Sequence, residues 1–170
     1  KAQKHLQVIW ANSTDMMEKM SDLVWVINPI NDNFKNVILK IREYAADLLE
    51  PSYIKLYFKS LEKAEFIKLN PEERKNIYLI AKEALNNAVK HSEADEIKIV
   101  FKRVEKAVKM IITDNGKGFD ITKTTSRNGI KNMQSRAEEI ISDFEIDSKE
   151  NLGTKITLKF NINSDWHYNL

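Results

Sequence analysis

Every proline in this 170-residue chain lies in its first half and every glycine in its second. Proline fixes φ and lacks a backbone donor, so Pro29, Pro51 and Pro71 divide the first half into elements with hard stops. Glycine reaches positive φ and permits close backbone approach. Gly116, Gly118, Gly129 and Gly153 therefore place the backbone freedom that tight loops need in the second half.

Between these marks the periodicity predicts the elements. Residues 1–27 read as one helix, with Ile9, Asn12, Met16, Met20, Leu23 and Ile27 at steps of three and four. That stripe packs either on its own domain or as a dimer seam in a helical bundle, and Met16, Met17 and Met20 suit an adaptable packing surface. One helix cannot bury such a stripe by itself. Asn28-Pro29 breaks the helix, and Asn31-Asp32-Asn33 offers capping side chains. Residues 33–49 form an amphipathic helix with Phe34, Val37, Ile38, Ile41, Ala45 and Leu48 on one side. Tyr53 to Phe58 reads as a strand, and residues 60–68 as a loop or a returning edge strand. Asn70-Pro71-Glu72-Glu73 is a cap, a proline at the first helical position and two first-turn acids. The helix it opens runs to about Lys90 and buries Ile77, Ile80, Ala81, Ala84, Leu85 and Ala88. Ile97–Lys102 and Ala107–Thr113 are strands joined by a short charged turn. Ile130–Ile141 is a helix, and Phe144–Asp147 with Thr154–Phe160 a final hairpin, in which Ile156, Leu158 and Phe160 alternate with Thr157 and Lys159. Helices mixed with a mainly antiparallel sheet predict an α+β fold, a two-layer sandwich with helices on one sheet face, preceded by a single long helix.

Composition removes several functions. There is no cysteine, which excludes disulfides, thiolate metal sites and cysteine nucleophiles. His5, His91 and His167 lie far apart and show no zinc spacing. A formal net charge of +2 gives no ground for a nucleic-acid or anionic-membrane partner. No apolar run is long enough to span a bilayer, and no signal-peptide pattern opens the chain. Lys1 falls inside the first expected helix, so the chain reads as a piece of something longer.

Three polar constellations remain. Asp114-Asn-Gly-Lys-Gly-Phe119 follows the apolar run Val108–Ile112; an ionised Asp114 accepts hydrogen bonds and cannot donate them. Taken alone it reads equally as an Asn-Gly turn between strands. Glu83, Asn87 and Lys90 share one helix face at i, i+4 and i+7. An amide oxygen suits Mg²⁺, which takes few ligands from protein and the rest from phosphate and water; the same face also reads as a solvated Glu-Lys surface. Arg127-Asn128-Gly129-Ile130 opens a helix, whose first N–H groups favour anions, with Lys131 and Arg136 adding positive charge; taken alone it reads equally as an ordinary glycine-bearing loop.

Taken in order, these segments resemble the ATP-binding domain of sensor histidine kinases, in the superfamily that includes gyrase, mismatch-repair and chaperone ATPases. Glu83-Ala-Leu-Asn-Asn87-Ala-Val-Lys-His91 is similar to that family's N box, and Asp114-Asn-Gly-Lys-Gly118 to its first glycine box. Asn128-Gly129-Ile130-Lys131-Asn132-Met133 is similar to the second, and Gly153-Thr154 to the closing Gly-Thr. Four boxes in sequence are far more specific than any one, and the resemblance covers about residues 20–162. Ser21-Asp22-Leu23-Val24-Trp25-Val26-Ile27-Asn28-Pro29 is similar to the helix-to-domain junction of nitrate-sensor-like and hybrid-regulator kinases.

The resemblance implies a Bergerat fold, with ATP and Mg²⁺ bound and the γ-phosphoryl passed to a histidine. It implies that Asp114 accepts the adenine amino group and that Gly116 and Gly118 let the backbone pass beside the nucleotide. Asn87 would ligate Mg²⁺. Glu83 would orient a water or act in acid–base support. Lys90 and His91 would contact phosphate or ribose. Residues 119–129 would form a lid hinged at Gly129, Asn128, Ile130 and Met133 would belong to its phosphate-facing end, and Thr154 would support Asp114.

It further implies three segments: residues 1–28 as the second helix of a dimerisation bundle with its junction, 29–162 as the catalytic domain, and 163–170 as a tail. The partners would be a second copy through the first helix and a response regulator or receiver domain, with neither nucleic acid nor direct membrane contact. The location would be cytoplasmic, within a membrane-bound bacterial receptor. Two departures stand out. Arg127 replaces the first glycine of the second box, which leaves open a stiffer lid or an arginine that touches phosphate. No histidine here is followed by an acid, so the chain is expected to bind ATP without labelling itself. The alternatives are a degenerate or regulatory ATP-binding module and an anti-sigma-factor-type serine kinase.

Overall fold

The computed structural model describes residues 2–121 and 128–162, with the backbone alone for residues 2–9, 11, 15 and 18. Arg127, the rest of the expected lid from residue 122, the tail from residue 163, and the side chains of His5 and Ile9 lie outside the described residues.

Helix α1, Ala2–Ile27, runs unbroken to the expected Asn28-Pro29 stop. Asn28 accepts from the Ile30 N–H to start a 3-10 turn, Pro29–Asn31. Asn33 then caps α2, Phe34–Leu49, by accepting from the Asn36 N–H. Its buried face is the expected one, with Leu49 fully inside and Leu48 half-buried at its last turn. Strand β1 is Lys55–Lys59; Tyr53 stays outside it, in the turn that follows α2, and is fully exposed. Residues 60–68 form no edge strand of the sheet. They make a 3-10 turn, Ala64–Phe66, and one antiparallel bridge from Lys68 to Asn33.

Helix α3, Pro71–His91, starts on a full capping box. Asn70 accepts from the Glu73 N–H at 2.9 Å, and Glu73 accepts from the Asn70 N–H at 2.7 Å. Strands β2, Glu96–Val104, and β3, Ala107–Asp114, form a hairpin. Helix α4, Asn128–Glu139, begins and ends two residues earlier than the periodicity suggested. Its stop is a left-handed Ile141 at φ 50°. Ser142 N–H donates to Ala137 O and Ile141 N–H to Glu138 O, the paired bonds of a Schellman motif. Strands β4, Asp143–Ser148, and β5, Thr154–Asn161, complete the fold.

The five strands lie in the order β1-β2-β3-β5-β4. β1 and β2 are parallel, joined by a crossover through α3, and the other pairs are antiparallel. Registers align the inward side chains in rows. Phe58, Ile99, Ile112, Ile156 and Ile146 form one row, and Phe101, Met110, Leu158 and Phe144 the next. On this face lie α2, α3 and α4, and one continuous apolar core fills the gap. Phe34 at the start of α2 meets Phe101 and Phe160 edge-on, at 5.6 and 5.3 Å between ring centroids. The outward face of the sheet carries lysines such as Lys98, Lys102 and Lys155 and is open to solvent. Ala107 and Thr157 are buried exceptions, Thr157 at mid-strand between Ile111 and Glu145. This is the expected two-layer α+β sandwich, mixed and mostly antiparallel, behind one long helix.

Helix α1 meets this body at its last turns. Val26 is buried, Trp25 packs on Tyr78 at 6.0 Å, and Asp22 pairs with Lys82 at 2.8 Å while accepting from the Tyr78 hydroxyl. The expected seam faces away. Met16, Met20, Leu23 and Ile27 are each more than half exposed. Among the described residues no helix is long and apolar enough to cross a membrane.

Candidate functional site

At one end of the helix-covered sheet face, the apolar rows give way to a polar one. The register sets Leu56, Ile97, Asp114, Thr154 and Ser148 side by side. The strand alternation makes each an inward position, so Asp114 is carried to the interior by the pattern that buries Ile112 and Met110. It is 6% exposed. Its Oδ1 accepts from the Gly116 N–H at 2.9 Å, closing a turn on itself. Burial pushes the Asp114 carboxyl above its ordinary pKa, and bonds from the Gly116 and Thr154 backbone N–H groups pull it partly back. The Ser148 and Thr154 hydroxyls lie 2.9 Å apart. The Ser148 Oγ donates to Gly153 O and accepts from the Phe119 N–H, tying the loop after Asp114 to the β4–β5 turn.

Glycines make this packing possible, and their neighbours are protein backbone. A Cβ on Gly116 would stand 2.1 Å from Ser92 O, and one on Gly153 2.1 Å from Asp114 O. Gly118, at φ +56°, abuts Lys149 O equally closely. The loop is pinned further by the Asn115 side chain, which donates to Asp95 and accepts from the Asp95 and Glu96 N–H groups. The Lys117 N–H donates to Ser92 O.

Opposite this row stands α3. Its small residues Ala84 and Ala88 leave room, and the cleft between helix and sheet encloses about 690 Å³ of empty space, open mouth included. Ile112, Ile146, Ile156, Ile130 and Met133 give it an apolar floor and wall, and Asn87, His91, Asp114, Lys117 and Thr154 supply polar groups. At the helix side the Asn87 Nδ2 donates to Glu83 Oε1 at 3.3 Å. That commits the amide nitrogen and leaves its carbonyl oxygen as the end that can ligate a cation. Gly129, in the first turn of α4, is pressed on the same pair: a Cβ there would fall 2.2 Å from Glu83 Oε1 and 3.5 Å from Asn87 Nδ2. Among the described residues no three His, Asp or Glu side chains cluster to hold a metal by themselves. A hard cation at Asn87 would take its other oxygens from phosphate and water, which suits Mg²⁺.

Thus Asn87, His91, Asp114, Gly118, Ile130, Met133 and Thr154 line one cleft. Glu83 bonds to Asn87, Gly129 leaves no room for a side chain beside that pair, and Gly116 lies buried behind Asp114. Lys90 and Asn128 are exposed and outside the lining. Arg136 is not at the cleft; its Nη1 donates to Asn76, two turns along α4. Sequence reasoning missed Ser148, whose only signal is its inward place in the β4 alternation, and Ser92, whose role is its carbonyl.

The family model described as "Histidine kinase-, DNA gyrase B-, and HSP90-like ATPase" matches residues 72–164, which contain every element of this cleft. The chain belongs to that family. It is an ATP-binding domain of the type found in histidine kinases. It is 34% identical over 110 residues to the signal transduction histidine-protein kinase/phosphatase DegS of Bacillus subtilis (62% of this chain, 29% of DegS). It is 30% identical over 152 residues to the sensor protein VraS of Staphylococcus saprophyticus (89% of this chain, 43% of VraS). It therefore spans less than half the length of these relatives. Among solved structures the fold is shared with the Acinetobacter baumannii histidine kinase AdeS, at a TM-score of 0.68 and 17% identity, covering 95% of this chain and 84% of that one.

Proposed function

We propose that this chain is the catalytic part of a sensor histidine kinase, transferring the γ-phosphoryl of Mg-ATP to a histidine outside it. One observation carries the reading: a single cleft holds a buried acceptor-only carboxylate at one end and the Glu83–Asn87–Gly129 cluster at the other. Adenine needs an acceptor for its amino group and apolar walls for its ring faces. Asp114 supplies the first, and Ile112, Ile146, Ile156 and Met133 the second. Burial raises the Asp114 pKa, and the Gly116 and Thr154 N–H groups work against that shift, toward the ionised carboxylate that recognition requires. The triphosphate then extends toward Asn87 and the α4 start.

Asn87 would hold Mg²⁺ through its carbonyl oxygen, and the bound cation supplies charge neutralisation on the phosphates. Glu83 Oε1 accepts from Asn87, which leaves Oε2 to orient a water or take a proton. His91, at the mouth, reaches phosphate or ribose, and Lys90 beside it does so from the exposed side. In the transfer the β–γ bridging P–O bond breaks as a P–N bond to the acceptor imidazole forms, so the protein's work is positioning and charge balance.

In this reading residues 1–28 form the second helix of a dimerisation bundle and its junction, and 29–162 the catalytic domain. The exposed stripe Met16, Met20, Leu23 and Ile27 supports a second copy as partner, and a response regulator would take the phosphoryl onward in the cytoplasm. The nitrate-sensor-like subgroup rests on the Ser21–Pro29 junction alone.

Calorimetry with ADP and a non-hydrolysable ATP analogue tests this. Both should bind in the presence of Mg²⁺, and Asp114→Asn, which turns an acceptor edge into a donor, should abolish binding. Equal binding by the two proteins would sink the assignment. Supplied with a separate bundle helix bearing the acceptor histidine, the chain should deposit acid-labile phosphate on it; ATP binding without transfer would point to a regulatory module.

A further inference from the structure

Asn76 is completely buried, yet it sits two turns from the cleft on α3. A primary amide has no place in a core unless both of its ends are satisfied. Here α4 satisfies both. The Nδ2 donates to Glu139 Oε2 at 3.0 Å, and the Oδ1 accepts from Arg136 Nη1 at 3.3 Å. Arg136 and Glu139 are three residues apart on α4 and so share one of its faces. A donor and an acceptor at that spacing, read by the two ends of one planar group, fix both the rotation and the axial register of α4 against α3.

The same stripe of α3 carries the site. Asn76, Ile80, Glu83 and Asn87 follow at steps of four, three and four. The seven residues from Asn76 to Glu83 span about 10 Å at 1.5 Å per residue. On α4 the seven from Arg136 back to Gly129 span the same length, so the two antiparallel helices are matched at both ends. At the far end Gly129 lies directly on the carboxylate that holds Asn87, since a Cβ there would fall 2.2 Å from Glu83 Oε1. A slide of α4 either pushes the Glu83 carboxylate away from Asn87 or withdraws the helix start from that pair. Between the ends the buried contact is the apolar Met133 side chain, which has no polar group to fix the register.

We propose that Asn76 is a positioning residue for the phosphate end of the nucleotide cleft, acting through the register of α4. The inference rests on the nucleotide reading above. It separates the two ends of the site, since Asp114 and Thr154 are set by the sheet and do not depend on α4.

The test compares affinity for ADP with affinity for a non-hydrolysable triphosphate analogue, both with Mg²⁺, in the whole chain. Asn76→Ala and Asn76→Asp should each lose about tenfold or more for the triphosphate beyond any loss for ADP, the scale of one misplaced charge-assisted bond. Asn76→Asp sets a carboxylate against Glu139. Adding Glu139→Gln restores the bond to residue 139 with its polarity reversed, keeps the Arg136 bond in its original direction and leaves the net charge unchanged, so the double variant should recover the triphosphate preference. Equal losses for both nucleotides, or no change in either, would overturn the inference, as would a folded double variant that fails to recover. If the unaltered chain binds neither nucleotide, the functional reading falls and takes this inference with it; a chain that binds both with unchanged preference in the variants overturns only the inference. A thermal melt of the double variant checks that it is folded, so the outcome does not hang on the tolerance of the alanine.

Discussion

Arg74 offers the sharpest perturbation of how the long helix is held. It is 2% exposed and carries three donors to backbone oxygens of two other segments. Its Nε and Nη2 donate to Val26 O, and its Nη1 to Leu69 O at 2.9 Å. Val26 O is one of the last four carbonyls of α1, which no later helical N–H can reach. α1 has no basic residue in its own last turn. A guanidinium from α3 therefore does what a lysine near the helix end would do, and meets the negative end of the helix dipole as well. Arg74→Met keeps much of the volume and removes every donor. A hydrogen bond to a charged group contributes about 1.5–3 kcal/mol. Two carbonyls lose their partner, and relief of the guanidinium's desolvation offsets part of the loss. The net cost should be about 2–4 kcal/mol, a large share of the ~5–15 kcal/mol of a typical domain.

Urea unfolding should show that loss, and hydrogen exchange should show faster amides at residues 22–31 while β3 and β5 keep their protection. Arg74→Lys should recover only part, since an ammonium cannot reproduce the fork. If the methionine variant matches the parent within about 0.5 kcal/mol, the size of an ordinary surface change, with unchanged exchange at 22–31, the clamp is not what holds α1.

The raised pKa of Asp114 gives two pH effects of opposite sign. The native state holds that proton more tightly than the unfolded chain, so without nucleotide stability falls as pH rises from the ordinary carboxylate range through the raised value; nucleotide affinity rises over the same window as the acceptor ionises. The difference in slope between the parent and Asp114→Asn in pH-dependent unfolding isolates the first effect, and a parallel course would refute it. Gly129→Ala meets only the end of a flexible Glu83 side chain, so it should keep its melting temperature within a few degrees and lose binding of the Mg²⁺–triphosphate complex. Gly153→Ala meets the Asp114 carbonyl at φ +77°, so it should cost about 1–3 kcal/mol or more of backbone strain and lower the melting temperature first. Ile141 is a branched residue at φ 50° and 89% exposed; Ile141→Gly should stabilise the chain by about 1–2 kcal/mol in urea unfolding, and an unchanged midpoint would count against the strained helix stop.

What the sequence made legible was whatever acts over a short stretch of chain. The Asn70–Glu73 capping box, the Asn28-Pro29 stop and the inward alternation of Ile156, Leu158 and Phe160 are signals of four to eight residues, and each marked its element. The parallel pairing of β1 with β2 was not legible, because strand direction is set by the α3 crossover and not by the composition of either strand. Arg74 and Asn76 carried no signal either. Their partners lie 48 residues away at Val26 and 60 or more away at Arg136 and Glu139, and an arginine or asparagine on a helix reads as surface until its partner is known.

The glycines show how a correct motif can hide its physical reason. The sequence reading set Gly116 and Gly118 beside a nucleotide, yet their missing Cβ atoms first of all let the chain press on Ser92 and Lys149. That pressing is what turns Asp114 into a fixed group, since a loop packed on the α3 end and on the β4–β5 turn cannot swing the carboxylate out to water. The site could also have been found by another route. At alternating positions the pattern of β3, β5 and β4 assigns Asp114, Thr154 and Ser148 to the core, where a polar side chain costs free energy unless it is fully bonded. One such residue could be an accident of packing. Three that fall into a single row, bonded to one another's strands and facing a helix made small by Ala84 and Ala88, break the local rule together, and local rules fail together where a ligand rather than a neighbouring side chain completes the core.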